Sequence, residues 1–240
     1  MMHKQNYATI AFAESQNEER YAAYAALHPD MAADEVVWRV NNHLDKAHYT
    51  FDVPVTNLDA PCFIVNKYFK LPDDYVPADL VEVDGIQMCR VTADAYVAMR
   101  DAAKAEGLNL SVSNAYRSLD RQRELYEKRL QLDGSAEEAD KTCARPGYSE
   151  HHTGLAMDVQ GSIRGGRNIS KTPEGPWVKE NCHRFGFILR YQPEIVDVTG
   201  YDSEPWHLRY VGTEISNDMK NRGIKSLEEY RERVWKLKHK

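Results

Sequence analysis

The period of the hydrophobic positions changes several times along this chain, and each change marks an element. Tyr21, Tyr24 and Leu27 recur at helical spacing, and His28-Pro29 closes the run. Val36, Val37 and Val40, with Trp38 beside them, predict a second short helix ending near Asn41-Asn42. Cys62-Phe63-Ile64-Val65 is apolar and partly β-branched, which predicts a strand. From Lys70 to Pro77 the prolines keep their predecessors out of the α region, so the segment is extended or turn-rich. Thr92 is placed to cap a helix whose inner face carries Tyr96, Met99 and Ala103 and which ends at Gly107. Leu108, Leu110 and Val112 then alternate with Asn109, Ser111 and Ser113, the pattern of a half-buried strand. That strand runs into Ala115-Tyr116-Arg117-Ser118. There Ser118 can cap a further helix with Leu119, Tyr126 and Leu130 on one side and Gly134 beyond its end.

Residues 135–150 are polar and irregular and are expected to form a loop. Leu155, Met157 and Val159 alternate with Ala156, Asp158 and Gln160, a strand with one greasy face and Asp158 on the other. Gly161 to Lys171 is a Gly/Arg/Ser loop without a phosphate-binding fingerprint. Pro173 to Phe185 predicts a helix ended by Gly186, and Phe187 to Tyr191 a short strand. In a final strand, Trp206, Leu208 and Tyr210 point one way and His207, Arg209 and Val211 the other. Pro205 interrupts that pattern and assigns Glu204 to the entering loop. Ser226-Leu227-Glu228-Glu229 is a capping box, and Tyr230, Val234 and Leu237 follow on a helix expected to pack on the domain and carry no chemistry. The organisation expected is a helical extension at 1–60, a core at 61–212 and a helical tail at 213–240.

Composition narrows the function classes. The 240 residues, 42% hydrophobic and 28% charged, suffice for one substantial core. The formal charge of −6 and the lack of a basic stripe argue against nucleic acid as a partner. No stretch reaches the ~18 apolar residues of a membrane span, and the N-terminus lacks an apolar signal core. If the chain is the full natural product it is expected in the cytoplasm. The four cysteines are widely spread without a CxxC, which argues against a cysteine-based zinc knuckle and favours free thiols over disulfides.

The chemistry concentrates in Ser149 to Asp158 and in Glu204-Pro205-Trp206-His207. Zinc takes imidazole nitrogen and carboxylate oxygen, and a catalytic site keeps three protein ligands and one open position. His151, Asp158 and His207 supply such a set, with Glu204 as a candidate base and Arg117, at a helix N-terminus, as a candidate for holding a carboxylate or oxyanion. There is no HExxH. On spacing alone, structural histidines with Asp158 in a surface hydrogen bond stand as the alternative. His28, His43 and His48 have no carboxylates at ligand spacing and are taken as surface or capping residues.

Taken together, Ser149-x-His151-x2-Gly154-x-Ala156-x-Asp158 and Glu204-x-Trp206-His207 resemble the signature of the VanY-type D-alanyl-D-alanine carboxypeptidases and the related L,D-carboxypeptidases, all zinc-dependent M15 peptidases. The resemblance spans roughly residues 61–212. It includes Asn66-Lys67, Leu71-Pro72, Tyr116-Arg117-Ser118-x3-Gln122, Ala144-Arg145-Pro146-Gly147, Phe185-Gly186-Phe187 and Arg190-Tyr191. It implies an α+β fold shared with the Hedgehog signalling domain: a small, mainly antiparallel sheet, packed helices and a zinc cleft. It implies Zn2+ held by His151, Asp158 and His207, catalysis by Glu204 and Arg117, and a substrate pocket lined by Ser118, Gln122, Ser149, Tyr191 and Trp206. The implied partners are peptidoglycan stem peptides, trimmed of a C-terminal D-alanine, D,D- in preference to L,D-, at the cell envelope. The alternatives are a D,D-dipeptidase or endopeptidase of the same superfamily, or a non-catalytic zinc-stabilised binding module. The chain departs from the pattern at His152, where relatives often carry Gln; the Ser-x-His register favours His151 as the ligand. It departs also at Ser113-Asn114-Ala115, where Ser-Gly often precedes Tyr-Arg-Ser, and in lacking the membrane anchor of many relatives.

Overall fold

The computed structural model describes residues 6–239. Its strands are β1 (Val53–Pro54), β2 (Phe69–Lys70), β3 (Leu80–Val83), β4 (Ile86–Cys89), β5 (Ser111–Asn114), β6 (Ala156–Gln160), β7 (Phe187–Tyr191) and β8 (Glu204–Tyr210). Its helices are α1 (Glu18–Leu27), α2 (Ala33–Asn41), α3 (Arg90–Ala105), α4 (Leu119–Asp133), α5 (Ala136–Thr142), α6 (Glu174–Asn181), α7 (Val196–Thr199), α8 (Thr213–Arg222), α9 (Leu227–Tyr230) and α10 (Lys236–Lys238). A π-helical turn at Arg231–Trp235 joins the last two.

The main sheet has the order β5-β6-β8-β7 and all its neighbours are antiparallel. β1 and β2 form a short parallel pair, and β3 and β4 a hairpin. Alternation along the strands separates the two faces of the main sheet. Met157, Val159, Phe187 and Leu208 pack on Tyr96, Met99 and Ala103 of α3 and Trp177 and Val178 of α6. On the other face, Ile188 and Val211 join Ile64, Leu71, Ile215, Leu227 and Tyr230. A third cluster unites Tyr21, Tyr24, Val36, Val37, Trp38 and Val40 with Ile195 and Val198. Burying one such side chain is worth roughly 1.5–3 kcal/mol, so α2, with Val36, Val37 and Val40 fully buried, is tied down by packing. Among the described residues no helix is long and apolar enough to cross a membrane. The four cysteines are free thiols.

Several elements differ from the sequence expectations. Residues 62–65 are buried but form no strand; the carbonyl of Phe63 accepts instead from Arg209 Nη2 at 2.9 Å. α3 starts at Arg90, because the β3–β4 hairpin feeds directly into it, so Thr92 lies inside the helix and does not cap it. Ser135 Oγ accepts from Glu138 N (3.2 Å) and nucleates α5 within the stretch expected to be a loop. Leu27 is 77% exposed, and the buried residue of α4 is the polar Gln122. His43 is half-buried, with its ring packed against Phe51 and Phe69. Glu204 and Pro205 belong to β8 itself. Proline survives there because a strand end can forgo one ladder hydrogen bond.

Candidate active site

Three pieces of local structure build one cleft against the sheet. The first is a 3-10 turn at Glu150–Thr153, whose cap is Ser149: its Oγ accepts from His151 N at 3.3 Å. Gly154 follows with φ +66, and a Cβ there would lie 2.8 Å from Cys89 Sγ and 3.1 Å from Cys89 N. Only glycine combines that left-handed conformation with that closeness. The turn therefore lies against the end of β4 and delivers His151 to the start of β6.

The second piece is the β6–β8 ladder, in which Asp158 pairs directly with His207. Asp158 Oδ1 lies 3.5 Å from His151 Nε2 and 3.3 Å from His207 Nδ1. His151 Nδ1 contacts the carbonyl of Ala115 at 2.7 Å and must donate to it, which leaves the Nε2 lone pair facing Asp158. His207 Nε2 lies 3.2 Å from Glu150 Oε2, and donation there leaves Nδ1 facing the same point. Asn114 Nδ2 donates to Asp158 Oδ2 at 3.0 Å, while Oδ1 is buried with no hydrogen-bond partner among the described residues.

That orphaned oxygen is informative, since a buried carboxylate oxygen without a partner is expensive. The three ligand atoms lie within 4.8 Å of one another. Atoms placed tetrahedrally at about 2.0–2.2 Å from one zinc stand roughly 3.3–3.6 Å apart, close to the two separations from Asp158 Oδ1. The donor set and spacing therefore fit zinc. Burial opposes the charge of Asp158, but the two imidazoles beside it hold its pKa well below the usual range. Burial, then the charge of Arg117, lowers His151, as suits a neutral ligand. Burial also works against protonation of His207, but its contacts with Asp158 and Glu150 prevail and raise it to about 9. A cation between these groups would replace that proton.

The third piece is the irregular start of β8. Leu189 pairs with Leu208 and Tyr191 with Glu204. Between these pairs only Arg190 intervenes on β7, against Pro205, Trp206 and His207 on β8. The excess is a bulge, and it brings Glu204 round to the side of His207, with Oε2 3.9 Å from Nδ1. Burial, helped by the charge of Asp158, raises the Glu204 pKa to about 7. Arg117 lines the same cleft; desolvation lowers its pKa, and among the described residues it forms no ion pair. Its Nη1 donates to Gln122 Oε1 at 2.7 Å, and Gln122 Nε2 donates to Ala144 O at 2.7 Å, so a buried amide aims the guanidinium.

Tyr191, whose ring centroid lies 4.7 Å from that of His207, lines the cleft with Trp206, Ser149 and Gln122. Ser118 does not; it caps α4, accepting from Arg121 N at 3.2 Å, and lies outside the cleft. His152 also turns away from the ligand point. Its Nδ1 meets Arg117 O at 2.7 Å and its Nε2 accepts from Gly147 N at 3.1 Å, so both ring nitrogens are engaged. Sequence reasoning overlooked Asn114, which braces Asp158, and Glu150, whose contact with His207 only the fold reveals. Arg167 and Tyr201 also line the cleft. Asn114 stands in the Ser113-Asn114-Ala115 departure from the Ser-Gly of the family pattern, and that departure was the signal available.

Comparison with known proteins follows the same lines. The D-alanyl-D-alanine carboxypeptidase family VanY matches residues 85–213. YodJ of Bacillus subtilis is 38% identical over 187 residues, 72% of this chain and 68% of YodJ. The structure of the LD-carboxypeptidase LdcB superposes with a TM-score of 0.69 at 36% identity, covering 75% of this chain and 90% of LdcB. A mutant of the vancomycin-resistance D,D-pentapeptidase VanY, in complex with Zn(II), superposes at 0.63 with 31% identity, covering 71% and 98%.

Proposed function

The chain belongs to the VanY-type carboxypeptidase family, with its α+β zinc-peptidase fold, and on that premise we propose that it is a zinc carboxypeptidase that removes the C-terminal D-alanine from peptidoglycan stem peptides, D,D- in preference to L,D-. The observation that carries this is the convergence of two imidazole nitrogens on the orphaned Asp158 Oδ1, with Glu204 at the edge of the same point.

His151, Asp158 and His207 would hold the zinc. When bound, zinc supplies a Lewis acid for the scissile carbonyl and lowers the pKa of water toward ~7. Glu204 is the proton carrier. Its carboxylate takes a proton from the attacking water and passes it to the departing amine nitrogen as the C–N bond breaks, leaving a shortened peptide and free D-alanine. In the metal-free protein burial raises its pKa to about 7, and a cation at the neighbouring site would bring it down from there toward the carboxylate that accepts the proton. Arg117, aimed by Gln122 and lacking a carboxylate partner among the described residues, faces negative charge from the substrate, either the developing oxyanion or the terminal carboxylate. Tyr191 and Trp206 form apolar walls for the peptide.

The test is metal analysis of protein purified without chelator, together with mass spectrometry of digests of defined tetra- and pentapeptide stems. Bound zinc and released D-alanine are expected, and the stem that is cut assigns D,D or L,D. Protein that holds no zinc, or that leaves both stems intact, ends this proposal. Glu204→Ala should keep the zinc and lose turnover by about 10²–10⁴-fold.

A further inference from the structure

We propose that Glu228, on the C-terminal helix α9, is a positioning residue for the ligand His207, acting through Arg190 and Glu150. This rests on the zinc site proposed above. Glu228 lies outside residues 85–213, the span matched by the family.

Four charged side chains behind the site are completely buried: Glu150, Arg190, Arg209 and Glu228 are each 0% exposed. Their contacts form one continuous path. His207 Nε2 meets Glu150 Oε2 at 3.2 Å. Glu150 Oε1 accepts from Arg190 Nε at 2.8 Å and from Arg209 Nη1 at 3.0 Å. Arg190 presents Nη1 and Nη2 to Glu228 Oε2 and Oε1 at 3.0 and 2.6 Å. Asn66 Nδ2 donates to Glu228 Oε1 at 3.1 Å, and Asn42 Nδ2 donates to the Glu228 carbonyl at 3.2 Å.

The geometry gives each member a task. The bidentate grip of Glu228 fixes the plane of the Arg190 guanidinium. That plane aims Nε at Glu150. Glu150 in turn holds the Nε2 side of His207, and so decides that Nδ1 faces Asp158. Two carboxylates and two guanidiniums balance, so the path adds no net formal charge beneath the metal site. Stability alone does not account for it, because buried ion networks are often no more stable than apolar side chains of the same volume. An outer partner that orients a metal-bound histidine does account for it. α9 and the segment at 42–66 thus reach the metal site without lining the cleft.

The experiment uses the full chain and zinc itself as the probe. The zinc dissociation constant is measured by chelator competition for wild type, Glu228→Gln and Glu228→Asp. Circular dichroism and thermal unfolding of the stripped proteins run in parallel, with kcat and KM on a stem peptide. Glu228→Gln should weaken zinc binding by about 10–100-fold and lower kcat more than KM changes. Glu228→Asp, which keeps the charge, should recover part of the loss. If Glu228→Gln does not fold, the double variant Arg190→Met/Glu228→Leu removes the outer pair together and should fold yet still bind zinc more weakly. A zinc constant within about twofold of wild type in a folded variant overturns the inference, and Glu228 is then only a staple between segments. Wild-type protein that binds no zinc would instead overturn the metal site itself, and this inference with it.

Discussion

Asp158 and His207 are direct partners across the β6–β8 ladder, so an antiparallel register, and not a loop, sets the 3.3 Å between their ligand atoms. A ladder is stiffer than a loop, and the ligand pair inherits that stiffness. Replacing Asp158 by Asn keeps the shape and the ladder but removes the charge that a metal would meet. Asp158→Asn should weaken zinc binding by more than the roughly 10–100-fold that loss of an outer-shell partner costs, with little change in the circular dichroism spectrum. Titration with a competing chelator measures it.

Gly154 joins the turn bearing His151 to β6, and an added methyl would meet both the backbone and the thiol of Cys89. Gly154→Ala should therefore destabilise the protein by about 1–3 kcal/mol, from the left-handed backbone and the contact together. Cys89→Ala would relieve only the thiol part, because Cys89 N remains 3.1 Å away. Thermal unfolding of the single and double variants checks both statements.

His152 is fully buried and neutral, and burial lowers its pKa to about 4. In the unfolded chain the same imidazole titrates near 6.5. Between these values the unfolded chain binds a proton that the folded protein does not, so stability rises with pH across the window and is lost as pH falls from about 6.5 to 4. The loss amounts to about 3 kcal/mol in all. His152→Gln should flatten this limb relative to wild type. Melting temperatures of the stripped proteins between about pH 4 and 7 decide it, and parallel curves would refute it.

Arg117 is aimed by Gln122, which is itself anchored to the Ala144 carbonyl. Arg117→Lys keeps the charge but loses the fork, and should lower kcat/KM by about 10²-fold or more. Gln122→Met leaves the arginine in place but unaimed, and a smaller loss is expected, with zinc content unchanged in both variants. Steady-state kinetics on a stem peptide and metal analysis test the order of the two effects.

Much of this was legible along the chain, for local reasons. Ser118 and Ser226 announce helix starts because a side-chain oxygen can satisfy an end-on N–H without any tertiary partner, and both do so. The greasy and polar faces of β6 follow from strict alternation, which placed Asp158 opposite Met157 and Val159. Where prediction failed, a local cap was missed, as at Ser135 before α5, or a tertiary partner had overridden a local preference. Residues 62–65 look like a strand, but the Phe63 carbonyl is taken by Arg209. Pro205 suggests a loop, but the bulge at the end of β8 accommodates it. Glu228 reads as an ordinary second helical position, and its bond to Arg190 spans 38 residues.

The sequence by itself determined the inventory of candidate ligands and of the candidate base, because histidine, aspartate and glutamate at motif spacing are chemical identities that no folding changes. It also favoured His151 over His152, through the Ser-x-His register of the motif. Only the tertiary structure decided that Glu204 faces His207, that Asp158 Oδ1 has no hydrogen-bond partner among the described residues, and that four buried charges stand behind the site. Those facts depend on a bulge, on cross-strand pairing and on burial, and each arises only when distant segments meet in a place from which water is excluded.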